Sequence, residues 1–158
     1  MLLWDIEMKS SKEDISLLEP RRRLRIAADA LEWTLGTFDS RISELAASAV
    51  RSSISRLREE ESRGNISPAA PERLEDQVEA YVSECDDPGV EQLLMAAVNC
   101  FELPAAGMGG EYLYTILSDC YESLLDREEI DIVIPEVERK HPRLVEAIQV
   151  QKEMIRRA

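Results

Sequence analysis

The chain has 158 residues, 44% hydrophobic and 32% charged, with a formal net charge of −13. Length and composition fit one globular domain and exclude a disordered chain, and the longest apolar runs, such as Leu93 to Val98, fall far short of a membrane span of roughly 20 residues. The strong negative charge opposes binding to nucleic acid or to an anionic bilayer.

Its distribution says more than its size. Residues 1–63 carry 11 basic and 12 acidic side chains, and residues 139–158 carry 6 basic and 2 acidic. Residues 64–138 carry 18 acidic side chains against two basic ones, Arg73 and Arg127, a net of −16. A one-sign field of this kind speeds encounter with an oppositely charged partner.

The opening "MLLWDIEMKSSKED" lacks a basic region followed by an apolar core, so it does not read as a secretory signal, and a cytoplasmic location is expected. Pro20 suits the first turn of a helix, and Leu24, Ala27, Ala28, Leu31 and Leu35 follow at steps of 3 and 4 until Gly36. The basic run "PRRRLR" at its start reads as a solvated helix face. Asp39 or Ser40 can cap a second helix, with Ile42, Leu45, Ala46, Ala49, Val50, Ile54 and Leu57 near one face. "GNISPAAP", Gly64 to Pro71, is dense in turn residues and reads as a linker-like turn.

Pro71 then opens a third helix, expected to turn Leu74, Val78, Tyr81 and Val82 inward and Glu72, Glu75, Asp76 and Glu79 outward. "CDDPG" ends it. Val90, Leu93, Leu94, Ala97, Val98 and Phe101 mark a fourth helix that stops at Pro104, and "AAGMGG", Ala105 to Gly110, is expected to be a flexible turn. Leu113, Ile116, Leu117, Cys120, Tyr121 and Leu124 mark a fifth. "HPRLVEAIQVQKEMIRR" supplies a sixth, with Leu144, Val145, Ile148 and Met154 or Ile155 inward. Between the last two, "IDIVI" is β-branched, but a lone strand cannot build a sheet. An extended connector or a fraying helix is expected, with Ile132 and Ile134 packed on the core. The fold class is therefore all-α, a single-domain bundle of about six helices over residues 1–158 with short connections and no internal repeat.

Groups able to carry chemistry are few. Cys85, Cys100 and Cys120 are odd in number and widely spaced, which fits reduced structural thiols. His141, the only histidine, precedes a proline at a helix boundary. Glu138 and His141 have Glu-x-x-His spacing, yet a di-iron bundle needs two such pairs. Asp126, Glu128, Glu129 and Asp131 lack the glycine and spacing of a calcium loop. The glycines of "GMGG" have no lysine near them to suit a phosphate. No cofactor, metal or catalytic residue is indicated, and the chain reads as a non-enzyme. Trp4, Trp33 and Phe38 are expected in the core. An exposed tyrosine beside an acidic surface makes a good interface anchor, and Tyr114 is the candidate.

The segment Leu93 to Ile155 resembles the C-terminal half of small, all-helical bacterial immunity proteins, the partners of secreted toxins. The likeness rests on the "LSDCYES" helix, the "VIPEVERKHP" turn and the apolar stripe of the last helix. It implies a protein that neutralises a partner without chemistry of its own, such as a nuclease toxin whose basic cleft carboxylates can occupy as phosphate mimics. On that reading Glu84, Asp86, Asp87, Glu128, Glu129 and Asp131, with Tyr114, form the partner surface. The alternatives are a structural or regulatory helical module that pairs as a homodimer through an apolar helix face, and, behind it, an enzyme using one of the cysteines or His141 in a pocket.

Overall fold

The structure, a computed structural model, describes residues 1–158 and is all-helical. Nine helices follow in order: α1 (Leu3–Met8), α2 (Ser11–Leu17), α3 (Pro20–Gly36), α4 (Glu44–Ser62), α5 (Leu74–Glu84), α6 (Val90–Asn99), α7 (Gly110–Arg127), α8 (Pro135–Glu138) and α9 (Pro142–Arg157). The six long ones stand where the apolar periodicity places them. The count differs because α1, α2 and α8 have only six, seven and four residues, too short to show a period.

Helix α7 is the central element, packed by α2, α3, α6 and α9. Its buried side chains, from Leu113, Ile116 and Leu117 to Tyr121, Leu124 and Leu125, cover a little over half of its circumference, a wide apolar face for a helix with neighbours on several sides. Helices α3 and α4 pack against each other, and each buries small residues, Ala27, Ala28 and Ala30 on α3 and Ala46, Ala47 and Ala49 on α4. All of these elements feed one hydrophobic cluster of 36 buried residues that includes Trp4 and Phe38, with Trp33 packed at its margin.

Polar groups fix the short helices from a distance. Trp4 Nε1 donates to Gln151 Oε1 at 2.7 Å, and Gln151 Nε2 donates to the Leu117 carbonyl at 3.0 Å, so α1, α7 and α9 share a buried bridge. Leu3 N–H and the Tyr121 hydroxyl both donate to the buried carboxylate of Glu138, at 3.1 and 2.7 Å. A helix six residues long is marginal alone; α1 is held by these partners.

Several local expectations are corrected. The cap of α4 is Ser43, whose hydroxyl accepts from Ala46 N–H, and not Asp39 or Ser40. The basic run at the start of α3 is solvated as expected at Arg21, Arg22 and Arg25, the first and last of which pair with Glu61, but Arg23 departs from this and donates to the carbonyls of Ile15, Ser16 and Met108. The glycine-rich turn is fixed, not flexible, because Met108 is fully buried and Gly107, at φ +91°, lies against Pro20 and Ile66. Val82 faces solvent, 57% exposed. The 130–134 segment is a connector without a strand, but Ile132 is 60% exposed and Ile134 42%. Only Ile130 of that run packs on the core.

Candidate protein-binding surface

Six of the seven residues assigned to partner binding lie in two segments at one end of the bundle. The α5–α6 loop is locked to the last turn of α7: Gly89 N–H donates to Asp126 Oδ2 at 2.8 Å and Ser123 Oγ donates to the Gly89 carbonyl at 2.6 Å. A Cβ on Gly89, at φ +80°, would stand 2.0 Å from the Ser123 carbonyl oxygen, so only glycine permits this approach. Asp87 and Glu129 consequently line one cleft of about 580 Å³, with Arg41, Ser43, Pro88 and Arg127.

The six carboxylates differ in what they face. Asp87 accepts from Ser43 N–H at 3.0 Å, and its own amide donates to the Tyr81 hydroxyl, so it ties α4 to α5. Glu128 pairs with Arg127 at 2.7 Å and lies 3.9 Å from His141 Nε2. Burial works to raise its pKa, but the hydrogen bond and charge of Arg127, helped by His141 and Arg41, outweigh this and lower it. Glu84, Asp86, Glu129 and Asp131 are exposed and carry no ion pair. Tyr114 does not join them. Its ring meets Trp4 in a tilted contact, centroids 4.6 Å apart and planes at 56°, with Lys12 Nζ over the Tyr114 ring, roughly 20 Å along α7 from Glu128 at ~1.5 Å per residue.

Arg127 carries a role that apolar patterning could not indicate. Its side chain is buried, its Nη1 donates to Thr37 Oγ1 at 2.6 Å, and its guanidinium lies 4.8 Å from the Phe38 ring. It anchors the α3–α4 loop to the end of α7. The signal available in the sequence was its isolation, as one of two cations among eighteen acids.

Charge pairing divides the molecule. In the first 63 residues, acids on helices α3 and α4 meet arginines: Glu61 with Arg21 and Arg25, Asp29 and Glu32 with Arg58, Glu44 with Arg51, Glu59 and Glu60 with Arg63. Between 64 and 138, Glu128 is the one carboxylate in an ion pair. The remaining seventeen have none.

A second feature of this segment is an open groove of about 530 Å³ between α5 and α6. Leu74, Val78, Met95, Val98 and Phe101 form its floor, and Glu72, Glu75, Glu79 and Glu102 its rim. Helix α5 packs chiefly on α4 and only lightly on α6, which leaves the groove unfilled.

Groups with chemical potential are placed elsewhere. Cys100 and Cys120 are fully buried, and burial pushes the Cys120 thiol up to about 12 and Cys100 higher still, so neither supplies a thiolate near neutrality. Cys85 is half-buried and free. Glu138 points into the core while His141 turns toward Glu128, so the Glu-x-x-His pair does not converge. Asp126 and Glu128 are likewise drawn apart, toward Gly89 and Arg127. No group of three or more His, Cys, Asp or Glu side chains is arranged to hold a metal ion. No helix is long and apolar enough to cross a membrane.

No protein-family model, curated protein or solved structure matches the chain.

Proposed function

We propose that the protein is a binding protein that captures a cationic protein partner on the carboxylate surface of residues 64–138, in the manner of an immunity protein blocking a basic toxin domain. The observation that carries this reading is the thirteen carboxylates of that segment that are exposed to solvent, none of them in an ion pair. Concentrated like charge opposes the compact state through self-repulsion. On helices α3 and α4 the same residue types are paired with arginines. A cationic partner relieves the repulsion on docking and is attracted from a distance.

The exposed carboxylates Glu84, Asp86, Glu129 and Asp131 supply the first contacts, and the locked loops beneath them keep that surface preorganised. The test is co-expression with the protein encoded beside this gene. The chain protects cells from that product, and the variant Glu84→Lys/Asp86→Lys/Glu129→Lys/Asp131→Lys loses protection while remaining folded. Equal protection by the variant contradicts the assignment.

One observation favours a second reading, a homodimer. Ile132, Val133 and Ile134 are consecutive and exposed on the α7–α8 connector, and Val133 shares a cleft with Met1, Leu2 and Ile130. On this reading sedimentation equilibrium gives a dimer that Ile132→Ser/Ile134→Ser converts to a monomer.

A further inference from the structure

The α5–α6 groove has the composition of a helix-docking site, and we infer that it receives a basic amphipathic helix of the partner, with apolar anchors on the floor and lysines or arginines against the glutamate rim. This rests on the reading of residues 64–138 as the partner surface and specifies where and how the contact is made.

Three observations support it. The floor is apolar and partly open to solvent, with Met95 47% exposed. Four glutamates border it, no lysine or arginine lines it, and none of the four is in an ion pair. An apolar groove bordered by one sign of charge selects a ligand that is apolar on one side and oppositely charged on the flanks.

The geometry also suits a helix. Two adjacent helices with an open furrow between them accept a third in the ridge-and-groove manner. Glu75 and Glu79 stand one turn apart on α5, about 6 Å at ~1.5 Å per residue, and Glu72 continues the rim from the turn before the helix, so cations spaced three or four residues apart on a docked helix face this edge. Leucine or phenylalanine at i, i+3 or i+4, and i+7 then reaches Val78, Met95, Val98 and Phe101.

The probe is a fluorescein-labelled peptide of about 18 residues with leucine at i, i+3, i+4 and i+7 and lysine elsewhere, followed by anisotropy at low ionic strength. A permuted leucine–lysine peptide of identical composition but without the amphipathic pattern is the control for charge alone. The amphipathic peptide binds at least ~10-fold more tightly than the permuted one; Glu72→Lys/Glu75→Lys/Glu79→Lys weakens it by ~10-fold or more, and Met95→Lys by ~5-fold. These positions are at the surface, and unchanged circular dichroism shows that the variants fold. Equal binding of the two peptides, or groove variants that bind as the parent does, overturns the groove assignment. Protection against the neighbouring gene product that survives the groove variants but not the loop variant overturns the groove while leaving the acidic capture surface intact. Failure of both peptides and that product to bind the parent chain overturns both.

Discussion

The hydroxyl of Tyr121 donates a 2.7 Å hydrogen bond to Glu138, a carboxylate with no exposure to solvent and no cation beside it. Leu3 N–H supplies a further donor from 135 residues away. Removing one partner of a buried charged group leaves the other unsatisfied. Glu138→Ala is expected to lower unfolding free energy by about 3 kcal/mol, and Tyr121→Phe by about 1–2 kcal/mol, in urea denaturation. Burial, followed by the hydrogen bond and charge of Glu138, raises the Tyr121 pKa. The folded state then holds a proton that the unfolded state releases near pH ~10, so this contribution is complete below that pH and is lost as pH rises further.

Asp119 behaves in the opposite region of the pH scale. Burial, with the charge of Glu122, pushes it up to about 6, while a hydrogen bond from Asn99 pulls the other way. Between the ordinary aspartate value and about 6 the folded state keeps a proton that the unfolded state has lost. Stability therefore falls as pH rises through that window. Asp119→Asn removes this dependence and raises stability at pH 7 by about 1 kcal/mol, after allowance for solvent screening of a half-buried group. Thermal unfolding of both proteins from pH 4 to pH 8 checks it, in about half-unit steps.

Gly89 is the position least able to accept a side chain. Its φ of +80° and the 2.0 Å clearance to the Ser123 carbonyl mean that Gly89→Ala must separate the α5–α6 loop from α7. The expected cost is about 3 kcal/mol or more. Gly64→Ala, where φ is +78° but the surrounding space is open, isolates the backbone strain and costs about 1 kcal/mol.

Arg127 is buried between Thr37, Glu128 and the Phe38 ring. Arg127→Ala leaves Glu128 facing His141 without its guanidinium and is expected to cost about 3–5 kcal/mol. Arg127→Lys restores the charge but not the fork, and recovers only part of the loss. Chemical denaturation of the two variants separates the charge from the geometry.

The fold was legible wherever apolar residues repeat for three turns or more. That covers α3, α4, α5, α6, α7 and α9, and the prolines at the starts of α3 and α9 marked their boundaries. What a single sequence could not show is which face a neighbour covers. Val82 continues the apolar pattern of α5 yet lies at the edge of its buried face, with Tyr81 and Cys85 on the core side, and Ile132 and Ile134 have the character of buried strand residues but no sheet to enter. The site was half legible for the same reason. The charge imbalance of residues 64–138 is a property of composition, readable at once. The separation of Asp87 and Glu128 from the free carboxylates depends on Ser43 and Arg127, and their contacts with those partners follow only from the packed loops. Tyr114 shows the converse. A tyrosine on a helix looks like an anchor until Trp4, distant in sequence, is found against its ring.

On the proposed reading the partner is a cationic protein encoded beside this gene, and the association rate of the chain with that gene's product, followed by stopped-flow fluorescence across a series of salt concentrations, tests the capture surface most directly. Electrostatic attraction by residues 64–138 predicts a rate that falls at least ~10-fold between about 50 and 500 mM salt. It also predicts that the four-lysine loop variant is slow at every concentration. A rate indifferent to salt, and shared by parent and variant, would contradict it.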